Sequence, residues 1–147
     1  MTADAISLDT SVLISHLKGD RFADDTDAFF RRGVANKARL VIPEVVYSEL
    51  YTGIYLAEDP KTEETRVQRF LAVNGVEVRA SKSLRSARRA GELYSRHLGN
   101  GAEPRRILPD FLIAAQAEAI SKVFVTWNPM DYLDLGLRIP VLNPNDA

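Results

Sequence analysis

Five short apolar or β-branched runs punctuate the chain, at 5 to 9 (AISLD), 39 to 43 (RLVIP), 76 to 79 (VEVR), 123 to 126 (VFVT) and 139 to 142 (IPVL). Between them lie stretches of helical pattern at 10 to 18, 22 to 36, 43 to 57, 61 to 73, 82 to 98 and 110 to 121. This alternation constrains the fold more than any other feature. Strand followed by helix, repeated, predicts an α/β chain whose largely parallel sheet is covered by helices on both faces. Pro43 and Pro109 fall where the first turn of a helix tolerates proline, and Gly75 in "NGVEV" marks the exit from a helix into the third strand. The segment "GNGAEP", 99 to 104, is the one clear loop. With no internal repeat, low-complexity tract or linker, residues 1–147 are expected to form a single domain.

Composition enters chiefly by exclusion. Charges are mixed, the net charge is −1 and 46% of residues are hydrophobic, as in a soluble globular protein. There is no cysteine, which removes disulfides, thiolate nucleophiles and Cys-type zinc sites together. The start "MTADAISLD" lacks a basic region followed by an apolar one, and no apolar run reaches the roughly 18 residues of a membrane span, so a cytoplasmic location is expected. The near-zero net charge hides an asymmetry. Residues 1 to 65 carry 12 acidic and 7 basic side chains, whereas 66 to 106 carry 3 acidic and 10 basic. On a helical reading, Lys82, Arg85, Arg89 and Arg96 share a face, and Arg105 and Arg106 follow. A phosphate-rich partner would suit this surface, and so would plain solvent.

Three carboxylates stand out against apolar surroundings. Asp9 ends the first run, Glu49 sits inside "VVYSELYTG" and Asp110 precedes the apolar "FLIAAQAE". Asp9 could serve as a helix N-cap and Asp110 as a first-turn residue favoured by the helix dipole. Glu49 lacks so simple an explanation, because Val45, Val46 and Gly53 place it on the apolar stripe of its helix, where it needs a donor or a cation. Just past the fourth run, "VFVTWNPMDY" adds Thr126, Asn128 and Asp131, which capped-turn chemistry also accommodates. In an open parallel sheet, ligands bind beyond the carboxyl ends of the strands. If the first and fourth strands are neighbours, these groups face one crevice. Carboxylates about 5 Å apart repel by roughly 3 kcal/mol at an effective dielectric of 20, so such a cluster would hold protons or a hard cation. An oxygen-only set points to Mg2+ or Mn2+ rather than zinc. His16 and His97 are assigned no chemistry.

The chain resembles PIN-domain ribonucleases, most closely the VapC-type toxins of toxin–antitoxin systems. The resemblance spans nearly the whole sequence and rests on four anchors in family order: "LDTSVLI", "IPEVVYSELYTG", "PDFLIAAQA" and "VFVTWNPMDY", with "PVLNP" closing the last strand. It implies a three-layer sandwich around a five-stranded parallel sheet of order 3-2-1-4-5. It also implies Asp9, Glu49 and Asp110 as acidic metal-site residues. Asn128 stands where many relatives place Asp, so Asp131 is expected as the fourth catalytic carboxylate, with Asn128 binding a metal water. Ser11 and Thr126 are expected to fix those carboxylates by hydrogen bonds.

The activity implied is metal-assisted hydrolysis of RNA phosphodiesters by the toxin of a type II pair. The basic residues of 66 to 106 would hold the RNA backbone, with Trp127 and Tyr132 either near enough to stack on unpaired bases or serving only as packing at the rim. A cognate VapB-type antitoxin and a homodimer are the partners the resemblance implies. A haloacid-dehalogenase-type phosphatase would want a second Asp where Ser11 stands, and a receiver domain a further acidic pair and a late Lys, which are missing. Two readings survive beside the toxin: a PIN module that binds RNA or protein without cleaving, and an RNA-maturation nuclease with no antitoxin.

Overall fold

The computed structural model describes residues 4–81, 83–99 and 107–147; Lys82, Arg105, Arg106 and most of the 99 to 104 loop lie outside them. The strands are β1 (Ala5–Leu8), β2 (Arg39–Pro43), β3 (Glu77–Arg79), β4 (Val123–Val125) and β5 (Val141–Leu142). They form one sheet in the order β3-β2-β1-β4-β5, and every neighbouring pair is parallel. This is the order the resemblance implied. The apolar content follows position in the sheet. Leu40, Val41 and Ile42 of β2 and Phe124 and Val125 of β4 are fully buried, each contributing about 1.5–3 kcal/mol on a transfer scale. The edge strand β3 carries alternating charge and is largely exposed, which blunts its unpaired side.

The helices are α1 (Thr10–Lys18), α2 (Ala23–Ala35), α3 (Glu44–Leu56), α4 (Pro60–Val73), α5 (Arg85–Gly99) and α6 (Leu108–Ile120). Chain direction divides them. The path from β1 through β2 to β3 moves one way across the sheet and carries α1 to α4; the return to β4 moves the other way and carries α5 and α6. Right-handed crossovers then place the two sets on opposite faces. Packing agrees: α1 meets α2, α3 meets α4, and α5 lies along α6. Pro43 and Pro60 occupy helix starts, as their missing N–H and fixed φ favour, while Gly19 closes α1 in the left-handed region at φ 63°.

The main departure from the sequence expectation lies after β4. A capped turn was one of two readings left open there; Pro129–Leu135 forms a 3₁₀ helix that buries Tyr132 and Leu135 and ends at Gly136. Among the described residues, no helix is long and apolar enough to cross a membrane.

Candidate active site

Asp9 sits on the seam between β1 and α1. Its backbone N–H still donates to the Val125 carbonyl of β4 (2.9 Å), while its own carbonyl accepts from Val12 in the first turn of α1 (3.1 Å). It is the N-cap by backbone geometry, yet its side chain accepts no capping hydrogen bond. The carboxylate turns instead toward two hydroxyls. Ser11 donates to Oδ2 at 2.9 Å and Thr126 donates to the same oxygen at 2.8 Å. Asp9 is 8% exposed and Thr126 is fully buried, so these bonds act in a low dielectric where charge-assisted donors are strongest. The Asp9 side chain therefore makes no capping bond, and Ser11 and Thr126 both donate to it.

Glu49 reaches the same neighbourhood from α3. Burial pushes its carboxyl above the ordinary glutamate value, and the charges of Asp9 and Asp110 push the same way, against a hydrogen bond from Thr10. That bond, from Thr10 Oγ1 to Glu49 Oε1 at 2.6 Å, is the donor the apolar stripe demanded. Asp110, in the first turn of α6, accepts the backbone N–H of Ile107 at 3.2 Å, so it closes the helix start as well as standing near Glu49. Three acidic side chains from three separate elements thus lie within electrostatic reach at the carboxyl edge of the sheet. Among the described residues, no group of three or more His, Asp or Glu side chains is arranged so that it could hold a metal ion.

Two further predicted ligands, Asn128 and Asp131, follow β4. Asn128 is tied to Asp9 through one intermediary, its N–H donating to Thr126 Oγ1 at 3.1 Å. Asp131 lies in the first turn of the 3₁₀ helix, exposed, with its N–H on the Asn128 carbonyl at 3.2 Å. Thr10 escaped the sequence analysis; its signal was the run "DTS", whose two hydroxyls diverge to separate carboxylates.

Other expectations need correction. Arg89 does not lie open for RNA: it donates to Glu118 at 2.9 Å and to the Gly136 carbonyl at 3.0 Å, and its side chain is 11% exposed. Arg96 donates to the Leu135 carbonyl and pairs with Glu92. Both brace α5 against the 3₁₀ segment, whereas Arg85 and Arg88 are exposed. Trp127 stacks on Phe22 at 4.4 Å and donates to Thr26, and Tyr132 is buried edge-on against Phe124. Tyr132 is therefore closed to a base, and Trp127 is half-buried with Phe22 stacked on it. A cleft of about 800 Å3 opens elsewhere, among α1, α2 and α4, lined by His16, Phe30 and Phe70 and by Arg31, Arg66 and Arg69.

Comparisons with known proteins bear on the whole chain. The matched chain in a structure of VapBC2 from Rickettsia felis bound to a promoter DNA fragment aligns with a TM-score of 0.76 at 19% identity, covering 95% of this chain and 98% of that one. DNA-bound VapBC from Salmonella typhimurium aligns equally well, with a TM-score of 0.76, 20% identity and the same coverage. FitAcB from Neisseria gonorrhoeae follows at 0.67 and 18% identity, covering 95% and 97%. No curated protein sequence matches. These likenesses establish the fold. A sequence model of the PIN domain matches residues 6–128, from the first buried strand to the turn beyond Thr126. The chain belongs to the PIN-domain family.

Proposed function

We propose that this protein is a divalent-metal-dependent endoribonuclease, the toxin of a type II toxin–antitoxin pair. One observation carries the reading: Asp9, Glu49 and Asp110 converge at the sheet's carboxyl edge, and Asp9 is held by two hydroxyls rather than capping its helix. The donors are all oxygen and mutually repelling, a chemistry, though not yet an arrangement, that fits Mg2+ or Mn2+. Asp9, Glu49 and Asp110 would hold the ion, Asp131 would serve as the fourth carboxylate, and Asn128 would contribute through a water. Such an ion lowers the pKa of a bound water and shields the phosphoryl oxygens.

The chain's own residues supply positioning. Thr10 fixes Glu49, while Ser11 and Thr126 fix Asp9, so the carboxylates are aimed before substrate arrives. A carboxylate of this set orients or deprotonates the attacking water, and no covalent intermediate is needed. Arg85 and Arg88, exposed on α5, would attract the RNA backbone.

The partner is read as an antitoxin of the VapB type, acting in the cytoplasm on a homodimeric toxin. The solved neighbours named VapBC favour this over an RNA-maturation nuclease. The cleft among α1, α2 and α4, lined by aromatic rings and arginines, suits an acidic amphipathic segment of such a partner. Asn128, neutral where a fourth charge is common, favours the competing module that binds without cleaving. The test is incubation of purified protein with mixed RNA, with and without Mg2+ or Mn2+, beside Asp9→Asn and Asp110→Asn. Metal-dependent cleavage lost in both variants supports the nuclease; cleavage surviving in both, or none from the wild type, refutes it. A short reading frame immediately upstream encoding a DNA-binding protein would support the toxin assignment.

A further inference from the structure

Trp127, the chain's single tryptophan, uses both of its N–H groups, and each enters a different set of hydroxyls. It lies just past β4, which ends at Val125. The backbone N–H donates to Ser11 Oγ at 3.2 Å, within the group that holds Asp9. On either side, Thr126 donates to Asp9 Oδ2 and the Asn128 N–H donates to Thr126 Oγ1, so three consecutive residues close on one carboxylate. The indole N–H donates instead to Thr26 Oγ1 of α2 at 2.9 Å, across 101 positions of sequence. Phe22 stacks on the ring with the planes 11° apart, and the Arg21 guanidinium stands 4.7 Å from the centre of the Phe22 ring.

Donor counting gives the second set a direction. Ser15 Oγ donates to Asp20 Oδ1 at 2.8 Å, which commits its one hydrogen. The 2.9 Å bond between Thr26 and Ser15 is therefore donated by Thr26. An indole N–H can only donate, so the relay runs from Trp127 through Thr26 and Ser15 and ends on the Asp20 carboxylate. Thr26 and Ser15 are fully buried, where aligned bonds strengthen one another and a lost partner is costly. The indole is thus anchored to a charge at one end, while its backbone joins the hydroxyls of Asp9 at the other.

We infer that Trp127 is a positioning residue: its indole, fixed to Thr26, sets the turn at 126 to 128 so that Ser11 and Thr126 converge on Asp9 Oδ2. Its effect on catalysis rests on the nuclease reading; its effect on the turn does not. The sheet ends before this turn, so side-chain anchors must hold what strand pairing no longer does. Displacement of a catalytic group by about 1 Å can cost up to roughly 100-fold in rate. Trp127 acts through Ser11 and Thr126 and needs no contact with substrate.

Three variants of the full chain test it. Thr26→Val keeps the shape and removes the acceptor, Trp127→Phe keeps a ring and removes the donor, and Thr26→Ser keeps the hydroxyl. The first readout is amide hydrogen exchange by NMR, without metal or RNA. Exchange at position 127 and at Asn128 is expected to quicken about tenfold in Thr26→Val and Trp127→Phe and to stay near wild type in Thr26→Ser, relative to the amides of β1 and β4. A loss of stability alone would quicken the strand amides by the same factor. The second readout is cleavage of a labelled single-stranded RNA with Mn2+. In Thr26→Val and Trp127→Phe, kcat is expected to fall about tenfold while KM stays within about twofold, and Thr26→Ser restores kcat. Wild-type exchange at both amides in Thr26→Val and Trp127→Phe, or wild-type kcat in both, overturns the positioning role. If the wild type cleaves nothing, the nuclease reading falls, and the two amides alone decide whether the indole sets the turn.

Discussion

Replacing Thr126 with valine removes one hydroxyl and keeps the shape, which makes it the sharpest probe of how Asp9 is held. The side chain is fully buried, so no cavity and no new surface follow from the change. Two bonds are lost: the donation to Asp9 Oδ2 at 2.8 Å and the acceptance from the Asn128 N–H at 3.1 Å. A hydrogen bond to a charged group contributes about 1.5–3 kcal/mol and a neutral one about 1 kcal/mol. Ser11 keeps its own bond to Oδ2, and water can reach the exposed Asn128, so the net cost falls near 2–3 kcal/mol. For a chain of this length that lowers Tm by roughly 5–10 °C. Urea and thermal unfolding of wild type, Thr126→Val, Ser11→Ala and the double variant measure it. Because both hydroxyls serve one oxygen, a coupling of about 0.5 kcal/mol or more is expected between them. A Thr126→Val cost below about 0.5 kcal/mol, or strict additivity with Ser11→Ala, would refute the account of Asp9 as a charge held by two converging donors.

Further outcomes follow from the ion pairs and the backbone. Arg89→Leu leaves Glu118, whose side chain is 8% exposed, without its guanidinium and should cost about 3 kcal/mol in urea unfolding, with much of that recovered by adding Glu118→Leu. Burial pushes the Glu118 carboxyl up, but the bonds from Arg89 and the Arg138 N–H outweigh it and hold the group below its ordinary value. A depressed folded value means this stability is present above the ordinary glutamate range and lost as pH falls through it, so Glu118→Gln should be less stable near neutrality and show a flatter acid limb below about pH 5. Glu49→Gln removes one of three mutually repelling carboxylates; the metal-free protein should hold or gain thermal stability, while the stabilisation conferred by Mn2+ in a thermal shift assay shrinks. Gly136 has φ +72° and an added Cβ would stand 3.0 Å from the Arg96 guanidinium, so Gly136→Ala should cost about 1–2 kcal/mol by calorimetry.

The alternation of β-branched runs with helical stretches was enough to define every strand and every α-helix to within a few residues, because a sheet buried on both faces demands continuous apolar strands and each crossover demands its own helix. The strand order was read from family likeness rather than from composition or spacing, since no run of residues records which strand will be its neighbour. Asp9, Glu49 and Asp110 were legible as anomalies, each a carboxylate set against apolar residues. That they share one electrostatic neighbourhood is a property of the sheet, which places β4 beside β1 and brings residues 117 positions apart to one oxygen. The same distance hid Thr10's bond to Glu49, the commitment of Arg89 to Glu118, and the tie of Trp127 to Thr26. Periodicity and propensity are local quantities and the amino-acid order carries them openly; hydrogen-bond partners, burial and mutual charge are non-local, and only the folded chain decides them.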